Sequence, residues 1–407
     1  MADLRSTCCV VGGGPAGVML GYLLARAGVS VTVLEKHKDF FRDFRGDTVH
    51  PSTMQLLKEL GLLGDFVQQP HQKVETVGGV YGGYAFRLGD LRKLRVDTPY
   101  IALMPQWDFL NFLSGKARVF PEFSLRTEHE ATGLIERDGR VRGVVVRTPS
   151  GEQRIEADLV VACDGRHSLM RKDAGLPLKD LGVPIDVLWF RLSKKENDPV
   201  KAVMANINYG KMLILIDRQE YFQAGLIIRK GGFQALQQQG LDNFRASLRQ
   251  VVPHLGDRAD EIRDWDQVKL LTVQVNRLLK WWRPGLLCIG DAAHAMSPVG
   301  GVGINLAIQD AVAAANVLAG ALRAGQNTDA LLGRVQRRRT FPVRAIQRMQ
   351  VTVHRGLATI FRHTGPMRAP RLLKVVVHLP GVKRLLARVV GMGVRREHVR
   401  TPDVHRA

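Results

Sequence analysis

Gly12, Gly14 and Gly17 in Val10-Val11-Gly12-Gly13-Gly14-Pro15-Ala16-Gly17 constrain the fold more tightly than any other feature of the chain. Ser6 to Val11 reads as a short buried strand and Ala16 to Ala27 as a helix, so the glycines fall at the junction. In such a strand–turn–helix Gly12 permits the tight turn, Gly14 lets main chain approach a pyrophosphate, and Gly17 lets helix and strand pack closely. The amides from Ala16 onward open the helix and offer free N–H groups and a positive dipole end to phosphates. Gly28 ends the helix, Val29 to Leu34 forms a second strand, and Glu35, followed by Lys36, stands where an acid accepts hydrogen bonds from a ribose. An acid here favours an unphosphorylated ribose, as in FAD or NAD.

Two further strands end in an acid. Asp158 to Cys163 runs into Asp164-Gly165, with Ser168 and Arg171 following, and Leu286 to Ile289 runs into Gly290-Asp291. Asp164 can equally cap the next helix, a common use of Asp, and the two roles are compatible. Asp291 can accept a hydrogen bond from a sugar-chain hydroxyl. Beyond it, Pro298-Val299-Gly300-Gly301-Val302-Gly303-Ile304-Asn305 leads into an alanine-rich helix, Leu306 to Leu322. Gly301 and Gly303 let main chain pass against a flat ring, with Pro298 as a candidate for the ring's surroundings. The helix start at Gly303, Ile304 and Asn305 puts a positive end where a reduced flavin carries negative charge. His294 reads as structural, not as a base. Three motifs in this order point to a flavin.

Arg45, in Phe44-Arg45-Gly46-Asp47, and Gln106, in Pro105-Gln106-Trp107-Asp108-Phe109-Leu110, complete a pattern. With them the chain resembles the para-hydroxybenzoate hydroxylase family of class A FAD-dependent monooxygenases, over roughly residues 5 to 330. The resemblance implies that Arg45 and Gln106 contact the cofactor, that Asp164-Gly165 serves FAD and the nicotinamide, and that Asp291 binds the ribityl chain. It implies an α/β fold: a Rossmann-like FAD-binding domain with an inserted mixed β-sheet substrate domain and a C-terminal helical region. The FAD-binding domain is expected in three pieces, residues 1–73, 101–182 and 271–330. The substrate sheet is expected in residues 74–100 and 183–270, and the basic helical region in 331–407.

The implied activity is a monooxygenase that consumes NADH or NADPH and O2 and hydroxylates an aromatic or other electron-rich organic molecule through a flavin hydroperoxide. The chemistry is flavin-centred, so no catalytic side chain and no metal is expected. The alternative is an FAD-dependent reductase or dehydrogenase of the same superfamily acting on a lipophilic, isoprenoid-like substrate. A third reading, a flavin-containing membrane-associated binding protein with little turnover, has only the basic tail in its favour. The Trp-x-Trp-x-Ile-Pro run of flavin halogenases is missing.

At 407 residues and 45% hydrophobic the chain is long and apolar enough for two or three packed units. Val74 to Arg95 reads as a strand pair, and Asp186 to Leu192, Lys211 to Ile216 and Tyr221 to Ile228 as strands, with Asp217-Arg218-Gln219 as a hairpin turn. Trp189, Tyr209, Tyr221 and Phe222 are pocket candidates by location alone. Cys8, Cys9, Cys163 and Cys288 sit on predicted strands without CxxC spacing, which reads as small core residues in a reducing compartment. With no secretory pattern, a cytoplasmic protein is expected, monomer or homodimer. From Leu331 to Ala407 there are 18 Lys or Arg against two acids, so +16 of the chain's +21 is local. Val343, Ile346, Met349, Val353, Leu357 and Ile360 recur at helical spacing there, as do Val382, Leu385, Leu386, Val389 and Val390. These helices read as a cap packed on the body with solvated arginines, peripheral contact with the inner face of the membrane being a second use. No aromatic-interleaved basic motif points to nucleic acid.

Overall fold

In the computed structural model, which describes residues 4–41, 48–198 and 203–406, five parallel strands lie side by side. Their order is Leu286–Cys288, Gly151–Ala162, Leu4–Val11, Val31–Leu34 and Phe123–Arg126. An antiparallel hairpin, Glu130–Arg137 with Arg140–Thr148, branches from Gly151–Ala162, and Trp282–Arg283 closes one edge. The register sets Val11 opposite both Ala162 and Leu34, and Ala162 opposite Cys288, so four strands end flush. Covered on both faces, such strands are apolar throughout rather than alternating; Cys8, Cys9, Val10, Val160 and Val161 are wholly buried. Helix Pro15–Arg26 buries Ala16 through Ala25 between the sheet and helices Gln106–Ala117 and Gly303–Arg323. Truncating Leu23 to Ala in such a core costs about 2–5 kcal/mol. Helix Gly303–Arg323 is long and apolar enough to cross a membrane, but 72% of that stretch is buried inside this core.

A second sheet has seven strands in the order Lys269–Leu271, Ile185–Ser193, Tyr221–Arg229, Lys211–Asp217, Val203–Asn208, Thr76–Tyr81 and Tyr84–Asp90. Its segments come from both sides of the second motif, which is the mixed inserted sheet expected. Period-two alternation divides its faces. Leu188, Phe190, Leu213, Leu215, Phe222 and Leu226 pack under helix Leu241–Val251 through Phe244 and Leu248. Ile185, Val187, Trp189 and Ile227 line the opposite face. Strand Val203–Asn208 and helix Leu241–Val251 had no counterpart in the sequence reading.

The C-terminal region is helical, as expected. Helix Asp329–Ile360 has 32 residues, about 48 Å at 1.5 Å per residue. It starts against Trp282–Arg283 and helix Gly303–Arg323, and Leu357 near its end joins the Val187–Trp189–Ile227 cluster of the second sheet. Arg344, Arg348 and Arg355 are exposed, as the cap reading requires. The buried face is rotated from the expected stripe, however: Val353 is 40% exposed, whereas Gln347, Gln350 and His354 are wholly buried. The reason is main chain beneath the helix that needs partners.

Candidate active site

The flush strand ends bring three motifs separated by more than 100 residues onto one carboxyl edge, where open α/β sheets bind ligands. They are also pressed together: a Cβ on Gly12, whose φ is +107°, would lie 2.5 Å from the Cys163 carbonyl oxygen. A Cβ on Gly17 would lie 1.9 Å from the Gly12 oxygen, so the helix can start only against a glycine. Gly14 differs from both. It is the N-cap of helix Pro15–Arg26, with no side-chain cap on the helix amides, and nothing lies within 4 Å of a Cβ built on it. Uncapped amides facing open space fit a phosphate.

Acids ring this edge. Glu35 is buried beside Gly13, its Oε1 accepting from the His37 amide at 3.0 Å. Ser168 caps helix Leu169–Asp173, and Asp164 Oδ2 also accepts from its Met170 amide at 3.2 Å. Asp164 is therefore partly a cap, but its Oδ1 is buried with no hydrogen-bond partner. Burial pushes its carboxyl above the usual range, outweighing Ser168 and the nearby amides. A buried acceptor without a donor fits a hydroxyl-bearing ligand. Asp291 is a third exposed and lies 3.9 Å from Arg166. Buried Arg171 ties the two Asp-containing motifs together, donating to the Ala292 and Arg166 carbonyls at 3.0 and 2.9 Å.

The loop from Pro298 to Asn305 lies across the same edge, with Pro298 and Gly300 exposed. Two sets of side chains hold it. From inside, Asn305 Oδ1 accepts from the His50 amide at 3.0 Å and the Thr53 hydroxyl at 2.7 Å, and its Nδ2 donates to the Thr48 and Gly301 carbonyls. The Asn305 side chain is thus committed to the loop, leaving Gly301, Gly303 and Ile304 to present main chain. Thr48 adds a hydroxyl bond to the Gly301 carbonyl at 2.8 Å. From outside, the long C-terminal helix clamps the segment leading into the loop. Gln350 accepts from the Ser297 amide at 3.1 Å and donates to the Ser297 and Val299 carbonyls at 3.0 Å. Gln347 donates to the Asn276 and Ala295 carbonyls, and Ser297 Oγ lies 2.8 Å from His354 Nε2. Burial pushes His354 below the usual histidine range.

Under the loop lies a buried ionic network. Asp310 Oδ2 accepts from the Gly290 amide at 3.1 Å and from His294 Nε2 at 2.5 Å, while Arg339 Nε donates to Oδ1 at 2.8 Å. Burial raises the Asp310 carboxyl, but His294 and Arg339 outweigh it and the net shift is downward. Arg339 also lies 3.5 Å from Glu397, which Arg338 holds at 2.7 Å. His294 is consumed in this network, in keeping with its structural reading.

The remaining candidates are more scattered. Lys36 points outward into a shallow groove with Lys38, Glu128 and Arg147. Gln106 is half-buried at the start of helix Gln106–Ala117, three residues past Leu103, which pairs with Thr48. Arg45 lies outside the described residues. Of the pocket candidates Trp189 sits on the sheet face toward the long helix, and Tyr221, stacked under Arg191, shares that face by its parity with Ile227; Phe222 packs on the other face and Tyr209 occupies a turn. Missed altogether were Gln347, Gln350, His354, Arg339 and Asp310. Asp310 carried a signal, being a lone acid inside an alanine-rich helix.

Residues 5–349 match the FAD binding domain family. The chain is 34% identical over 383 residues to 6-methylpretetramide 4-monooxygenase of Streptomyces rimosus, covering 94% of this chain and 91% of the relative. The solved anhydrotetracycline hydroxylase of Streptomyces rimosus superposes with a TM-score of 0.74 at 24% identity, over 95% of this chain and 76% of that one. The p-nitrophenol 4-monooxygenase of Pseudomonas putida DLL-E4 gives 0.75 at 20% identity, over 97% and 100%. These relatives are oxygenases by name, and none favours the reductase alternative. The chain belongs to the FAD-binding-domain family and is an FAD-dependent monooxygenase of the class A type.

Proposed function

We propose that this enzyme takes a hydride from NADH or NADPH and inserts one atom of O2 into an aromatic substrate, the other atom leaving as water. The balance is substrate–H + NAD(P)H + H+ + O2 giving substrate–OH + NAD(P)+ + H2O. The observation that carries the reading is the flush carboxyl edge, which joins the Gly12–Gly17 turn, Asp164 and Asp291 beside the Pro298–Asn305 loop. FAD supplies the two-electron storage and oxygen activation when bound. The protein holds it. The uncapped amides at Gly14, Ala16 and Gly17 take the pyrophosphate, Glu35 the ribose, and Asp291 the ribityl hydroxyls, with Arg45, Gln106 and Lys36 as further contacts. Asp164 offers its free oxygen to a ligand hydroxyl. The start of helix Gly303–Arg323, which has no side-chain cap, turns its positive end to the ring from Gly301, Gly303, Ile304 and Asn305. Pro298 borders the ring. Residues 1–73, 101–182 and 271–330 would form the cofactor half and 74–100 with 183–270 the substrate half. Names of the relatives support an aromatic substrate, and the one-GxGxxG sequence supports a nicotinamide that visits rather than resides.

The test is to purify the protein, measure bound FAD, and follow NAD(P)H oxidation under labelled oxygen with a panel of phenols and fused aromatic phenols. One labelled oxygen atom in the product, with substrate-stimulated NAD(P)H oxidation, is the expected result. Failure to bind FAD would sink the reading. NAD(P)H oxidation that yields a saturated product, without label, would replace it with the reductase.

A further inference from the structure

Between Asp329 and Glu397 the sequence has no acidic residue. In its second half, residues 362–388, lie Arg362, Arg368, Arg371, Lys374, Lys383, Arg384 and Arg388, all exposed except half-buried Lys383. Charge alone would fit any polyanion. What distinguishes this face is the apolar side chains set among the cations. Thirteen large apolar residues are well exposed among the described residues, and four of them fall between 372 and 385: Leu372 at 73%, Val375 at 58%, Leu379 at 46% and Leu385 at 61%. Leu372 and Val375 belong to helix Arg371–Val376, which continues as turns to Leu379, so the three share one side at helical spacing. The opposite side packs inward through Val377. Leu385 and the adjacent Arg384 stand outward on helix Pro380–Met392, whose Ala387 and Val390 pack against Leu91 and Ile101.

We propose that this face docks the enzyme on an anionic lipid surface, with the four aliphatic side chains entering the headgroup region and the basic residues meeting lipid phosphates. Aliphatic residues ringed by Lys and Arg, without acids, are what an interfacial helix needs. A nucleic acid would use the cations but leave the leucines in water, since residues 362–388 carry no Phe, Tyr or Trp for a base to stack on and the neighbouring Tyr84 ring is covered by Lys374. Residues 1–330 carry only +5 of the chain's +21, so attraction is focused on the C-terminal region to which this face belongs. The patch is also wired to the cofactor loop. Helix Pro380–Met392 presents the Val390 carbonyl to His50 Nδ1 at 2.7 Å, and the His50 amide donates to Asn305. Burial holds His50 down at about 4, so the ring is neutral and Nδ1 carries the donated hydrogen. A lipid-seated enzyme would therefore hold its flavin loop two hydrogen bonds from the membrane-facing helix.

The experiment is co-sedimentation of the full FAD-loaded chain with vesicles of phosphatidylcholine alone or with 30% phosphatidylglycerol at about 0.1 M salt. A charge variant (Arg371→Gln, Lys374→Gln, Arg384→Gln, Arg388→Gln) and an apolar variant (Leu372→Ser, Leu379→Ser, Leu385→Ser) are run beside it. Each basic residue at such a surface is worth about fivefold in partitioning. Binding at least tenfold stronger to anionic than to neutral vesicles, reduced at least tenfold in each variant, supports the proposal. Far-ultraviolet circular dichroism and unchanged NAD(P)H oxidation in solution show that the variants fold. Absence of binding to anionic vesicles overturns it. So does binding that the serine variant retains in full, or a preference for single-stranded DNA over the vesicles at equal phosphate.

Discussion

Asp310→Asn tests the ionic network beneath the Pro298–Asn305 loop. The carboxylate is wholly buried, and it compensates Arg339, itself only 1% exposed. Removing one member of a buried pair costs about 3–5 kcal/mol, mostly because the remaining charge is stranded. Asn keeps the shape, and Glu397 at 3.5 Å still offers Arg339 some relief, which places the pair's loss near the lower end. Both carboxylate oxygens accept, Oδ2 from Gly290 and His294 and Oδ1 from Arg339. An amide must turn its NH2 toward one of these donors, adding about 1 kcal/mol. The expected loss is about 4 kcal/mol at pH 7 in urea unfolding of the apoprotein. Adding Arg339→Met removes the stranded charge, so the double variant should recover more than about 1 kcal/mol. The pH dependence follows from the downward shift of Asp310. A depressed carboxyl contributes stability above its unfolded value, about 3.9, and loses it as pH falls through the lower folded value. The gap between wild type and Asp310→Asn should close as pH falls below about 4. Asp310→Asn within 1 kcal/mol of wild type, or a double variant weaker than the single one, would refute the reasoning.

Gly14→Ala should cost the apoprotein no more than about 1 kcal/mol, the loss of a better N-cap, since nothing lies within 4 Å of the new Cβ, yet weaken FAD binding at least tenfold by fluorescence titration. A stable variant with unchanged affinity would remove the pyrophosphate from that turn. Gln350→Ala strands the Ser297 amide and two carbonyls; a loss of about 2–4 kcal/mol in stability and faster hydrogen exchange at residues 297–303 are expected, and unchanged exchange would argue that the clamp is incidental. Burial pushes all four cysteine thiols up, Cys9 to about 12. A disulfide-exchange reagent at pH 8 should therefore titrate at most one thiol in the native protein, the partly exposed Cys163, and four in guanidinium; rapid native labelling of more than one would contradict the burial.

The shape of the carboxyl edge was legible because its requirements are local. A turn that must pass under the Cys163 carbonyl needs a glycine at residue 12 whatever the rest of the chain does, and a strand buried on both faces must be apolar up to its last residue. The clamp was not legible for the opposite reason. Gln347, Gln350 and His354 are polar residues on a basic helix, indistinguishable in sequence from a solvated face. Their burial follows from the carbonyls of Ala295, Ser297 and Val299, more than 50 residues away. The same main chain explains why Val353, expected inside, faces out. Strand Val203–Asn208 was missed because its Asn206 and Asn208 lower its β-propensity, and its place is set by pairing with Thr76–Tyr81.

The dependence of the Pro298–Asn305 loop on residues 347–354 also has a temporal meaning. During synthesis the Gly12–Gly17 turn emerges first, but its strand gains the Gly151–Ala162 neighbour only after about 150 more residues. The loop gets its clamp only when residue 354 has left the ribosome, and Arg339 meets Glu397 later still. Such long-range parallel pairing is slow and late. The nascent chain would thus carry its glycine turn long before the Pro298–Asn305 loop can be clamped, and ordering of that loop becomes a late step, reached only after residues 347–354 have emerged. Chains cut short before the long helix would leave that loop unclamped, however intact their glycine motif.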